Sequence, residues 1–436
     1  MGYCLLTVMR GGDGMGGASL YEVTQMTQGW RGKPDARIEF ICAAGGALLR
    51  YGARTDRLEH HLEACGRALG IEAEIYMLPN AIFATFGGAA QARTVIIETE
   101  EETIDLRGLA MVGDILDAVT NGGVSAEFGL AQVRLITTAR PRFRWYYRVP
   151  ATGLSAAAVA VLIGGGPRAL VAAAMVGIGV GSLLVIGRKS ARLIPLLEFL
   201  AGVLSVVLTA VLWHVLPHFA LDTVILAGVT PLIPGLTITK GVSELAAKHV
   251  VSGAARLASA AIVLVTLVSG IAMATYGLRV LNYMPPKFTS HGSTSLVLMA
   301  ISTAAGAAAF MVLMNARPKD FPVILTAWVV ALGGIELGVV IAGPTFSVVV
   351  AALLLGVFCN LYGWITGLPS AIPRVPGLVV LVPGAIGFRS ATSLLDGSRS
   401  GAEIMVTVVI VGVGLVVGLL LADSAVPLPA EGRRGL

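Results

Sequence analysis

Apolar residues fall into two regimes along this chain: short runs of mixed periodicity as far as about residue 138, then long runs in close succession from about Leu154 onward. In the first regime Ile38, Ile41, Leu48, Leu49, Leu58, Leu62 and Leu69 recur at helical spacing, interrupted at Gly45-Gly46 and near Tyr51-Gly52, and stopped by Gly70. Two consecutive helices are predicted. Alternation then takes over from Ala73 to Met77; Pro79-Asn80 turns the chain, a second strand covers Ala81 to Phe86, and a third covers Thr94 to Thr99. This reads as a three-stranded meander. Asp105 and Ser125 are placed to cap two further helices, reaching to about Thr120 and Ile136. Residues 36–148 are therefore expected to form a small cytoplasmic α+β domain, and residues 1–35, rich in Gly and polar side chains, a disordered tail.

The second regime is counted in crossings of about 17 to 25 residues. Ten spans result, at roughly 151–166, 168–187, 193–216, 221–239, 255–281, 294–315, 321–335, 337–361, 374–395 and 402–422. The first and seventh are short enough to be re-entrant. Arg140, Arg142, Arg144 and Arg148 with Trp145, Tyr146 and Tyr147 stand directly before the first span, as a cytoplasmic anchor does. Arg188, Lys189 and Arg192, then Lys240, Lys248 and Arg256, then Arg317 and Lys319, and lastly Arg433 and Arg434 all fall on the side of the N-terminal domain. Both termini are thus expected in the cytoplasm, with residues 423–436 as a tail, although Arg279, Lys287 and Arg399 fall on the other side. Five spans in each half (151–281 and 293–422) make the second half enter the membrane from the opposite side, so the two halves are read as inverted repeats.

Within the fourth span, Pro231, Pro234 and Gly235 interrupt an apolar run, and Pro383-Gly384 does the same 149 residues later. Proline removes a backbone donor, so a break in hydrocarbon must face protein or a watery cavity. Superposing the two motifs sets Lys240 on Arg389 and Ser243 on Thr392. Paired broken helices are the sequence pointer to a transporter's binding site. The half-helix after each break offers amide groups and a positive dipole end to a carboxylate, while unwound carbonyls can accept from an ammonium group. Pro234, Gly235, Thr237, Thr239, Lys240, Pro383, Gly384, Arg389 and Thr392 are the residues so placed. The bland alternative is that Lys240 and Arg389 snorkel to an interface and the hydroxyls bond their own helix. A carboxylate at the bilayer centre costs on the order of 3 kcal/mol, which makes acids inside spans candidate proton carriers. Glu198 and Glu244 are the preferred pair; Glu336, Asp222 and Glu403 are read as interfacial.

Composition agrees with a polytopic membrane protein: 56% of residues are hydrophobic, 13% are charged, and the mean hydropathy is +0.82. With 54 glycines and 6% aromatics, helices can pack closely through small residues. The net charge of +5 shows no clustered patch that would suit nucleic acid. Cys4, Cys42, Cys65 and Cys359 lack ligand spacing and read as free thiols, and the six histidines lack metal spacing, so no metal or other cofactor is expected.

The Leu232-Ile233-Pro234-Gly235 segment, the stretch from Gly241 to Leu257, and Val375-Pro376-Gly377 followed by Leu381-Val382-Pro383-Gly384 resemble the paired halves of the threonine/serine exporter family. Tyr51-Gly52-Ala53 with Thr55, Arg57-Leu58-Glu59 and Ala68-Leu69-Gly70-Ile71 resembles that family's N-terminal domain, so the likeness covers roughly residues 37–422. The resemblance implies a multi-pass protein of the bacterial inner (plasma) membrane that exports threonine and serine by using the proton gradient. Its partners are then a small amino-acid substrate, protons and the lipid bilayer; the oligomeric state is left open. A competing reading makes the membrane part an anchor for a ligand-sensing or hydrolase-like N-terminal domain, with Asp105, Asp114, Asp117, His60, His61 and Cys65 as its reactive groups. None of these forms a nucleophile elbow, phosphate loop or paired-ligand spacing.

Overall fold

The computed structural model describes residues 7–9, 35–88, 92–99, 103–139, 141–286, 295–381 and 400–427. Strand β1 (Thr7–Met9) is followed by helices α1 (Ala36–Arg50) and α2 (Thr55–Ala68) and by strands β2 (Ala73–Leu78), β3 (Ala81–Phe86) and β4 (Arg93–Glu98). Helices α3 (Leu106–Thr120) and α4 (Ala126–Thr138) complete this unit. β2 and β3 pair antiparallel from Ala73 opposite Phe86 to Leu78 opposite Ala81, and β3 pairs with β4 from Ala81 opposite Glu98 to Phe86 opposite Arg93. Alternate residues Ile75, Met77, Ile82, Ala84, Phe86, Val95 and Ile97 face inward onto Phe40, Leu48 and Leu58 of the first two helices. Both expected caps are present: the Asp105 carboxylate accepts from the Gly108 amide at 2.7 Å, and Ser125 Oγ accepts from the Phe128 amide at 3.3 Å. The tail differs from expectation, because Thr7–Met9 adds a fourth strand, parallel to β4, at the sheet edge.

This unit is not a free-standing domain. Ala307, Phe310, Met314, Ile324 and Trp328, from two later apolar helices, belong to the same hydrophobic core as Phe40 and Leu109. The Leu106 amide donates to the Met314 carbonyl at 3.0 Å, and Asn315 Nδ2 donates to Asp105 Oδ2 at 2.6 Å.

The apolar part runs through α5 (Trp145–Leu162), α6 (Pro167–Gly187), α7 (Leu197–Val215), α8 (Leu221–Val229), α9 (Gly235–Ala246), α10 (Val250–Val280), α11 (Leu296–Leu313), α12 (Phe321–Thr366), α13 (Ala371–Leu381) and α14 (Ser400–Ala425). Among the described residues six segments are long and apolar enough to cross a bilayer, or seven if the bent pair Leu221–Leu232 and Gly235–Ala246 counts as one. Ten spans were expected. The first expected span lies in α5, which opens with Trp145 and carries Arg148 and Pro150. The ninth is described only as far as Leu381, and in the tenth only Ile410–Ala425 counts as a shorter apolar helix. Exposed Ile262, Val265 and Met273 on α10, Met175 on α6 and Ile301 on α11 present apolar surface outward, as lipid-facing helices do.

The largest change from the expected map is in α12. A turn was expected at Gly333 to Glu336, but the helix continues through these residues, so Glu336 lies inside it rather than at its start. The break comes at Gly343, whose φ of 77° is in the left-handed region open to glycine, followed by Pro344. The two arms fold back on one another: a Cβ on Gly338 would stand 2.6 Å from the Ser347 carbonyl, and one on Gly334 would stand 2.7 Å from Ala351 Cα.

Helix contacts elsewhere use the same small-residue closeness. A methyl on Gly270 of α10 would run into the Phe199 carbonyl of α7, which is backbone and cannot swing aside. Gly270→Ala is expected to cost about 1–3 kcal/mol by overpacking, read as a lowered unfolding midpoint in detergent; an unchanged midpoint would show that α7 and α10 do not meet there.

Candidate substrate cleft at the broken helix

The fourth span is broken as its prolines require. A 3₁₀ turn over Thr230–Leu232 ends α8, Pro234 precedes α9, and the axes on either side differ by 58°. α9 opens at Gly235, and its first turns border a narrow cleft of about 60 Å³. Four other elements share the wall: the loop and α2 start from Gly52 to Arg57, Leu109 of α3, α13 with Ser370 just before it, and Leu419 of α14.

Lys240 reaches across this cleft, its Nζ donating to the Gly52 carbonyl at 2.8 Å. It is thus held at an internal junction. Glu244, 1% exposed, accepts Arg256 Nε at 3.0 and 3.1 Å on its two oxygens, and Thr55 Oγ1 donates to Oε1 at 2.9 Å. The i, i+4 neighbours Lys240 and Glu244 therefore find separate partners, one in α10 and one in the N-terminal loop.

On the far wall Asp423 of α14 accepts Arg374 Nη2 of α13 at 2.9 Å, Arg57 Nη2 of α2 at 3.0 Å and Asn360 Nδ2 of α12 at 2.9 Å. Arg374 Nη2 also donates to Asn360 Oδ1. Arg54 Nη1 lies 3.9 Å from the same carboxylate. These contacts and those of Glu244 fasten one short N-terminal segment, Gly52 to Arg57, to α9 and α14.

Of the expected site residues, Thr239 and Lys240 line this cleft, and Gly235 is buried at the start of α9. Pro234 and Thr237 stand half-buried at the break. Thr239 Oγ1 donates to the Gly235 carbonyl at 3.0 Å, the self-bonded arrangement open to a helical threonine. Pro383, Gly384, Arg389 and Thr392 lie outside the described residues. Glu198 stands in the first turn of α7, where an acid suits the helix dipole, and α7 does not line the cleft. The structure thus separates Glu198 from Glu244.

Sequence reasoning missed Arg54, Arg57, Arg374, Asn360 and Asp423. A signal existed for two of them. Arg374 and Asn360 interrupt apolar runs, and a cation or amide inside such a run needs a polar partner.

Two profiles of the threonine/serine exporter family cover nearly all of this architecture. One matches residues 39–277, from α1 through α10, and the second, described as "Threonine/Serine exporter, ThrE", matches 296–425, from α11 through α14. The chain belongs to the threonine/serine exporter family. Proteins similar to this chain include an uncharacterised protein of Schizosaccharomyces pombe, 23% identical over 92% of this chain and 52% of its own length. The pheromone-regulated membrane protein 10 of Saccharomyces cerevisiae is 27% identical over 85% of this chain and 49% of its length. Its counterpart in Pichia sorbitophila is 24% identical over 84% of this chain and 38% of its length. The chain therefore spans about half the length, or less, of these relatives. No solved structure matches. As a member of this exporter family, with six or seven candidate spans among the described residues, the chain is a multi-pass membrane protein.

Proposed function

We propose that the protein is a secondary active transporter that exports small hydroxy amino acids, threonine and serine, across the plasma membrane (in a bacterium, the inner membrane), coupled to the proton gradient. The observation that carries this reading is the cleft beside the Pro234-Gly235 break, where the first turns of α9, Lys240 and Arg374 converge with the hydroxyl-bearing side chains Thr239, Ser243 and Ser370. A substrate carboxylate suits that convergence, because helix amino ends and guanidinium groups both favour anions. Pro383-Gly384, with Arg389 and Thr392, is proposed to complete the site from the second half, the halves being inverted and both termini cytoplasmic. Glu244 is the acid proposed for proton coupling. It is buried beside the cleft, and its partner Arg256 gives it an alternative bond to exchange. Glu198, on an element away from the cleft, is proposed at most as a relay.

Three of the six reactive groups of the anchor-and-enzyme alternative, Asp105, His61 and Cys65, are engaged or buried. Asp105 caps α3 and bonds Asn315, and His61 Nδ1 is 2.7 Å from the Arg57 carbonyl. Burial raises the Cys65 thiol pKa, the wrong direction for a nucleophile, and pushes Cys42 up to about 12.

Counterflow of labelled threonine in proteoliposomes tests the proposal. Wild type is expected to exchange threonine, and Gly235→Leu, which fills the break with a side chain, to lose that exchange. Wild-type protein that moves no amino acid under an imposed pH gradient would end it.

A further inference from the structure

The N-terminal segment 52–57 ties together two bodies of the membrane part. On one side α9 lies tight on α10: a Cβ on Gly253 would stand 2.6 Å from the Gly241 carbonyl, and Glu244 is paired with Arg256. On the other side α14 lies as tight on the second arm of α12, where a Cβ on Gly418 would stand 2.5 Å from the Val349 carbonyl. The first pair of helices falls mainly under one family profile and the second under the other. The segment holds both. Lys240 donates to the Gly52 carbonyl at 2.8 Å and Thr55 donates to Glu244 at 2.9 Å on the α9 side, while Arg57 meets Asp423 at 3.0 Å on the α14 side.

Under this tie the cleft is shut. Its volume of about 60 Å³ falls well short of the roughly 300 Å³ at which small-ligand pockets begin. A water needs about 10–15 Å³ by the same measure, so the space takes a few waters and no amino acid. Gly52, Ala53, Arg54 and Arg57 form the wall on the N-terminal side. The two ends of the tie differ in how readily they part. Glu244 and Thr55 are 1% and 0% exposed, so parting there takes a bond from a buried carboxylate. Arg57 and Asp423 each keep 20% of the side chain exposed, so water can replace either partner for the other. Asp423 also keeps Arg374 at 2.9 Å when Arg57 leaves, so release strands no charge on α14.

We propose that segment 52–57 is a gate of the transport site, a clasp that stays on α9 and releases Asp423 of α14 each time the cleft opens to admit substrate. The inference rests on the reading that this cleft is the transport site. Rocking of one half of a transporter against the other opens and closes such a site. Here the N-terminal unit supplies the fastening. With Arg57 on Asp423 the two bodies are held around a space too small for cargo; with Arg57 withdrawn they can part, and the α9 contacts carry the segment along. Arg57 is accordingly a gating residue rather than a substrate ligand.

Proteoliposomes carrying the full chain test this with reversible bridges. In Arg54→Cys with Ser424→Cys, a long, reducible bis-thiol reagent ties the segment to α14; in Arg54→Cys with Ala247→Cys it ties the segment to the end of α9. Both are made with Cys4→Ser, since Cys42, Cys65 and Cys359 are buried. Counterflow of labelled threonine is expected to be lost on bridging to α14 and regained on reduction, and to continue when the bridge runs to α9. Counterflow that survives the α14 bridge overturns the clasp and leaves the exporter reading standing. Loss with both bridges overturns release at Asp423. Exchange of no amino acid by wild type removes the exporter reading and this inference together. Amide exchange supplies a measurement free of cysteines. Threonine should raise the exchange of residues 52–57 in wild type, and Arg57→Gln, which removes one charge-assisted contact, should raise it about tenfold without threonine. Wild-type exchange that threonine leaves unchanged overturns the inference even if no variant folds.

Discussion

Arg256→Met is expected to destabilise the protein by about 3–5 kcal/mol, the cost of leaving one member of a buried ion pair unpaired. Glu244 is 1% and Arg256 5% exposed, so neither carboxylate nor guanidinium can turn to solvent when its partner is lost. The damage extends beyond the pair, because Glu244 also holds Thr55 at 2.9 Å and through it the start of α2. The paired change Glu244→Gln with Arg256→Met should recover most of the loss, since an amide in place of the carboxylate no longer needs a cation. Unfolding midpoints in detergent, compared for single and double variants, supply the check. If Arg256→Met melts with the wild type, the pair is not buried as described.

Asp423→Ala should be nearly as damaging, at about 2–4 kcal/mol, lowered somewhat because the carboxylate is partly open to solvent. Its side chain is 20% exposed, whereas Arg374, at 7%, would be left buried with Asn360 as its remaining partner. Here the expected readout is local as well as global. Amide exchange in α2 should rise, since Arg57 loses its tie to α14, and Asp423→Ala combined with Arg374→Met should restore the midpoint more than the exchange. Unchanged exchange in α2 would show that the N-terminal unit is held by other contacts.

What could be read from the sequence was whatever a short window encodes. The meander from Ala73 to Thr99, the caps Asp105 and Ser125 and the Pro234-Gly235 break all rest on residues a few positions apart, and the structure places them where local rules predict. The α12 hairpin was misplaced because its turn has no polar loop. A single left-handed Gly343 and Pro344 reverse the chain inside an unbroken apolar run, while Gly333-Gly334 and Glu336 imitate a turn in sequence. The cleft was only half legible. Lys240 could be singled out beside the break, but its carbonyl partner is 188 residues away, and Arg57 and Asp423 are separated by 366. No periodicity links such distant positions; only the packed helices bring them together.

The core shared between the N-terminal unit and helices α11 and α12 constrains how the chain is made. Asp105 and its partner Asn315 are 210 residues apart, so the apolar face of the early unit stays uncovered while more than half of the membrane part is still being synthesised. At about 5–20 residues per second that interval lasts on the order of 10–40 s. During it the nascent domain needs a chaperone or the membrane surface against it, and a fragment ending near Thr138 would keep that face bare permanently. Biogenesis of this protein is therefore completed from its second half backward: insertion of α11 and α12 is the step that closes the core begun by α1.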